Sequence, residues 1–154
     1  MTLNRLLCSA VVAALMTPAV VVMADSSVKE LQHARHEHYE ELGDAFKVVR
    51  DQTRSSKPDL AAIKIAAKKV NDASVNQEKW FPAGSGPEAG KTDALADIWA
   101  KPTEFKAAMK IFSDAAPKLH AAATAGDIAA IKTAFGDVGK ACKNCHDQFR
   151  AKED

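Results

Sequence analysis

Apolar side chains recur at alternating intervals of three and four along most of the chain, and this spacing restricts the fold more than any other property of the sequence. In the first stretch Val28, Leu31, Arg35, His38, Leu42, Ala45 and Val49 keep that rhythm, which places them on one face of an α-helix turned towards a partner. Ser26 or Ser27 is positioned to cap its start, and "RSSKPD" closes it. A second helix is predicted from about Asp59 to near Gln77, with Leu60, Ile63, Ala67, Val70 and Ala73 in its stripe. A third opens at Pro102 or Thr103 and turns Phe105, Met109, Phe112, Ala116, Leu119 and Ala123 inward, with a kink expected at Pro117. Gly126 stops it and Asp127 caps the fourth, where Ile128, Ile131, Phe135, Val138, Cys142, Cys145 and Phe149 share one face. Alternating Val, Ile and Thr, the mark of strands, is missing. The pattern predicts an all-α fold, an antiparallel up-down-up-down four-helix bundle.

Between the second and third helices lies "EKWFPAGSGPEAGKTDALADIWAKP", rich in Gly and Pro and home to both tryptophans. Loops of this length in small domains usually serve function, and Trp80, Phe81, Ile98 and Trp99 are suited to pin it to the core. The same aromatics also suit a purely structural part, covering the end of the bundle.

The first residues place Arg5 ahead of an apolar run from Leu6 to Met23 that ends in small residues at "VVMAD". This is the pattern of a secretory signal peptide over residues 1–24, cleaved after Ala24, with a mature domain over 25–154. Cys8 would leave with the leader. Loss of Arg5 leaves twenty basic and twenty acidic side chains, a formally neutral chain. Such a balance offers no general attraction to nucleic acid or to a membrane surface.

The two remaining cysteines stand in "ACKNCHDQFR". Cys142, Cys145 and His146 form a C-x-x-C-H run, the attachment pattern of a c-type haem. On a helix, residues three apart share a face about one turn from each other, so both sulfurs can meet two vinyl groups on one edge of the porphyrin. His146 is rotated a further ~100° and can bring an imidazole nitrogen to the iron. A disulfide across so short a loop would constrain little of the unfolded chain. A structural zinc site wants four ligands and there is no second cysteine pair; His33, His36 and His38 point around the first helix as solvated side chains. A thioredoxin-like pair would sit at a helix N-terminus, not deep in a last helix.

With its C-terminal "TAFGDVGKACKNCHDQFR", its Arg-bearing first helix "ARHEHYEELGDAFK" and its loop "GSGPEAGKTDALADIW", the mature chain resembles the cytochrome c prime family throughout. That resemblance implies one covalent haem c per chain, His146 as the iron ligand with Arg150 beside it, and Arg35 approaching a haem propionate. A guanidinium inside a protein is costly unless an anion meets it, and haem brings two. The competing reading is a surface Arg35 paired with Glu30 or Glu37.

The family pattern puts Tyr39 over the other face of the iron. Met109 is the one methionine beyond the leader, so a methionine from the first helix cannot ligate. An ordinary phenol has a pKa near 10, which favours a neutral ring packed over five-coordinate, high-spin iron. His38, His120 and Met109 remain as alternative sixth ligands. The expected protein is periplasmic and not an enzyme: it binds NO or CO, passes single electrons to redox partner proteins, and the resemblance suggests a homodimer through the first two helices. A six-coordinate electron carrier is the alternative, and a peroxidase-like enzyme a weaker one, because few acid or base groups are on offer.

Overall fold

The computed structural model describes residues 19–152. Its four long helices are α1 (Ala19–Arg54), α2 (Leu60–Ser74), α4 (Pro102–Ala125) and α5 (Ile128–Phe149), with a single turn, α3 (Asp97–Ala100), in the long loop. They pack as the predicted bundle. The pairs α1 with α2, α2 with α4 and α4 with α5 lie closely side by side, whereas α1 and α5 approach at few positions. The side of the bundle between α1 and α5 is therefore the loosely closed one.

The helix ends follow local chemistry. The Asp59 carboxylate accepts hydrogen bonds from the Ala61 and Ala62 amides at 2.9 and 3.0 Å, and Asp127 does the same for Ala129 and Ala130 at 2.9 and 3.1 Å. Each satisfies amide donors that a first helical turn leaves open. Gly126 takes the left-handed conformation, φ 75°, and its amide donates to Ala122 and Ala123 carbonyls. A side chain there would meet the steric cost of that region.

Two expectations are corrected. First, α1 is already helical at Ala19, upstream of Ser26 and Ser27: no glycine or proline stands between Ala19 and Ser27 to interrupt it. The remaining leader residues, Cys8 among them, lie outside the described residues. Second, α2 stops at Ser74, where the Val75 amide bonds back only three residues to Asp72 and the chain tightens into a 3-10 turn over Gln77–Trp80. Pro117 lies within α4, on its exposed side.

Two apolar clusters make the core. The larger joins Ala45 and Val49 of α1, Ile63 and Val70 of α2, Leu119 of α4 and Ile131 and Val138 of α5, with Leu42, Phe46, Phe135 and Cys142 packed on it. The Phe46 and Phe135 rings stack at 4.2 Å. Each fully buried aliphatic chain of this kind contributes roughly 1.5–3 kcal/mol. The smaller cluster joins Ile98, Phe105, Ala108, Met109 and Phe149, with Phe81, Ala94, Trp99 and Cys145 against it.

Candidate haem site

The site lies where α1, α5 and the long loop meet. In the N-terminal half of α1 the inward residues are Gln32 and Arg35, while Leu31 and His38 of the predicted stripe are exposed. A bundle helix normally turns apolar residues inward, but this half of α1 faces loop backbone, whose carbonyls need donors. Gln32 Nε2 donates to the carbonyls of Ser85 at 3.3 Å and Gly86 at 2.8 Å. The Arg35 guanidinium donates to the Trp80 carbonyl (3.3 Å), the Ser85 hydroxyl (3.1 Å) and carbonyl (3.0 Å), and the Thr92 hydroxyl (3.0 Å). It also lies over the Phe81 ring at 4.9 Å and the Trp99 ring at 5.8 Å.

Arg35 is 4% exposed, and among the described residues none of these partners is a carboxylate. The reading of a surface arginine paired with Glu30 or Glu37 is overturned; Glu37 instead meets His33 at 3.3 Å. Burial lowers the guanidinium pKa, with Tyr39 acting the other way. These partners are neutral oxygens and ring faces, so none of them balances the buried charge as an anion would.

Tyr39, one turn further along α1, is edge-on to Trp80 at 5.2 Å and tilted against Phe81 at 6.2 Å. Burial, followed by the neighbouring Cys145, pushes its phenol well above the usual value, and Cys142 adds to this while Arg35 opposes it. Tyr39 is therefore a neutral phenol at physiological pH, and it lies within electrostatic reach of both cysteines. A phenolate ligand would require the charged form that burial disfavours.

On α5 the two cysteines are partly buried and unbridged. Cys142 packs on the larger cluster and Cys145 on the smaller, so the sulfurs span the boundary between the two. Burial raises the Cys142 thiol, and burial together with Cys142 pushes Cys145 up to about 11. Protonated thiols are poor nucleophiles in thiol exchange and poor zinc ligands. Among the described residues, no three His, Cys, Asp or Glu side chains are grouped to hold a metal ion. The raised thiols disfavour the thiolate form that exchange chemistry and zinc ligation use.

His146 is exposed on α5, and its carbonyl accepts the Arg150 amide at 3.1 Å. Arg150 itself does not continue the helix beside His146. Its backbone is extended, φ −115° and ψ 138°, and pairs antiparallel with Ala94. Two bonds fix that pairing, Leu95 amide to Phe149 carbonyl at 3.0 Å and Ala151 amide to Asp93 carbonyl at 2.8 Å. The guanidinium reaches Asp93 at 3.4 Å.

The alternative iron ligands sit in different surroundings. His38 stacks on the face of Trp80 at 4.7 Å and is exposed. Met109 is buried in the smaller cluster, and His120 stands on α4 among residues of the larger cluster's end. His36 pairs with Glu40 at 3.3 Å on the exposed side of α1. Gln32, Ser85, Thr92 and the clamping part of Trp80 were not singled out from the sequence. The one signal for Ser85 and Thr92 was the polar "GSGPEAGKT" loop.

A covalent haem fits these residues on three grounds: two partly buried thiols one turn apart on one face, an uncompensated buried guanidinium, and two apolar clusters parted at the sulfurs on the loosely closed side of the bundle. Cys142 and Cys145 would hold the ring, His146 the iron and Arg35 a propionate.

Comparison with known proteins agrees. A cytochrome c' of Alcaligenes xylosoxydans xylosoxydans is 46% identical over 74 residues, 48% of this chain and 57% of the relative. The chain spans little more than half the length of this relative and of its counterparts in Rubrivivax gelatinosus and Pararhodospirillum photometricum. Among solved structures, a cytochrome c' with ligand-controlled dimer dissociation superposes with a TM-score of 0.76 at 26% identity, covering 81% of this chain and 97% of the other. A nitric oxide complex of a point mutant of cytochrome c prime from Alcaligenes xylosoxidans superposes with a TM-score of 0.70 at 32% identity, again covering 81% and 97%. Residues 30–150 match the family description Cytochrome C'. That span runs from the start of the Arg35 and Tyr39 face to the end of the C-x-x-C-H helix, and the chain belongs to the cytochrome c prime family, whose prosthetic group is covalent haem c.

Proposed function

We infer that this protein is a periplasmic, non-enzymatic haem carrier whose iron is five-coordinate and high-spin, binds diatomic gases such as NO and CO, and passes single electrons to partner proteins. When bound, the haem supplies an iron that takes a diatomic ligand or one electron. The chain's own residues decide which. Cys142 and Cys145 tether, His146 ligates from one side, Arg35 neutralises an acid group of the ring, and Arg150 holds the end of α5 to the loop. Tyr39 covers the opposite side as a neutral, crowded ring.

The observation that carries this reading is the packing of the Tyr39 ring against Trp80 at 5.2 Å and Phe81 at 6.2 Å, one turn along α1 from Arg35, where burial also keeps the phenol protonated. Such a side chain excludes water from the open side without binding iron itself. The nitric oxide complex among the superposed structures supports a gas ligand. Residues 1–24 are read as a leader, which agrees with an exported haem protein; no helix among the described residues is long and apolar enough to cross a membrane. A dimer through α1 and α2 is supported by exposed Leu31 and Val48 on α1 and Leu60 and Ile65 on α2, and by the dimer of one superposed structure.

The test is an absorption spectrum of the ferrous protein before and after carbon monoxide. A high-spin spectrum that changes on adding the gas is expected. A low-spin spectrum that ignores it would mean a six-coordinate electron carrier, and peroxide turnover well above free haem would mean an enzyme.

A further inference from the structure

The Trp80 side chain stands between Tyr39 and a cleft on the outside of the bundle. His38 and Tyr39 are consecutive on α1, so their side chains diverge by about 100° around the helix. The indole enters that fork. Its face stacks on the His38 ring at 4.7 Å and 25°, and the Tyr39 ring meets it at 5.2 Å and 89°. Both are favoured aromatic arrangements. The backbone of Trp80 is fixed as well, since its carbonyl accepts from Arg35. On the outer side, a cleft of about 270 Å³ is lined by His38, Leu42, Lys69, Ala73 and Trp80, and by the carboxylates Glu41 and Asp72. A water molecule needs only ~10–15 Å³ of such space, so a two-atom ligand is easily admitted. One indole thus separates this cleft from the phenol that covers the iron.

We propose that the cleft between α1 and α2 is the path by which a diatomic ligand approaches the iron and that Trp80 is its gate, a positioning residue that holds Tyr39 closed. The proposal rests on the reading above, in which Tyr39 covers a five-coordinate iron. Opening requires the indole to leave the fork between His38 and Tyr39, after which the phenol loses its edge contact and swings with it. His38 is the outer latch, because its ring covers the indole face that would otherwise be free to rotate outward.

The experiment is the carbon monoxide association rate of the haem-loaded ferrous protein, by stopped flow, for five variants. Losing one aromatic contact corresponds to about two- to tenfold in a rate. Trp80→Ala is expected to bind the gas about three- to tenfold faster, and Trp80→Phe to return within about twofold of the parent, which a general loosening of the loop would not do. Ala73→Trp, at a position that lines the cleft as Tyr39 does not, is expected to slow binding at least threefold, on the order expected for a blocked path. In a Tyr39→Ala background, itself fast, Trp80→Ala is expected to add little, because both remove the same obstacle. Unchanged rates in Trp80→Ala or in Ala73→Trp, with Tyr39→Ala fast, would overturn the gate while leaving the five-coordinate reading intact. A parent protein that is low-spin and does not bind the gas would overturn both.

Discussion

Replacing Arg35 by methionine tests the site most searchingly, because this side chain couples the loop to the haem. In the structure the guanidinium supplies four hydrogen bonds and two ring contacts from a position 4% exposed. One of its acceptors, the Ser85 carbonyl, keeps a second donor in Gln32. If only neutral oxygens were orphaned, the net loss would be about 1–2 kcal/mol, since a desolvated charge is removed at the same time. If Arg35 also meets a haem carboxylate, its removal leaves that anion buried and unpaired, and the loss rises to ~3–5 kcal/mol. Urea unfolding of the haem-loaded protein at neutral pH, with the slope checked for constancy, measures the difference. A second reading comes from the midpoint potential: loss of a nearby positive charge stabilises the ferric state, so the potential falls. Arg35→Lys, which keeps the charge but not the fork, is expected to lie between the two in stability and close to the parent in potential. A loss below about 1.5 kcal/mol with an unchanged potential would refute the pairing.

Tyr39→Phe removes the only group that could ligate as a phenolate, yet the ferric spectrum at pH 7 is expected to stay as it is, because the phenol is neutral; a change of spin state would contradict this. The haem-free chain is expected to lose stability as pH rises from the ordinary thiol value of 9.0 through about 11, where Cys145 titrates in the fold. The sign follows from proton counting: the unfolded chain releases its thiol protons first, so it binds fewer, and stability falls with pH while being fully present below that range. In the haem-loaded protein the sulfurs carry no proton, and urea midpoints should decline only where the raised phenol of Tyr39 takes over, above its ordinary value of 10.0; identical alkaline limbs for the two forms would count against thioether formation. Gly126→Ala forces a side chain into φ 75° and is expected to lower stability by about 1–2 kcal/mol in thermal unfolding, with no effect on the haem spectrum.

The parts of the fold that depend on neighbours in sequence were legible. Asp127 and Gly126 cap the helices they were expected to cap, and Asp59 caps the helix expected to start near it, since each acts on amides or carbonyls within four residues. The C-x-x-C-H run likewise needs only one helical turn to become a site. What was not legible depends on distant backbone. Gln32, rather than Leu31 or His38, joins Arg35 on the inward face of α1 because the partner there is the Ser85 and Gly86 backbone, which no periodicity announces. Arg150 leaves α5 because Asp93 and Leu95 bond to the residues on either side of it. Trp80 was read as a lid over the bundle end, and its place between His38 and Tyr39 emerges only when the loop is folded back on α1.

The most direct test of the account is the intact mass of the protein matured in a host that attaches haem to cysteine. The parent chain is expected to be coloured and heavier than its polypeptide by one haem that survives denaturation, whereas the chain carrying both Cys142→Ala and Cys145→Ala should come out at bare polypeptide mass. A parent that emerges without the added mass, or a double variant that retains it, would contradict attachment through these two sulfurs.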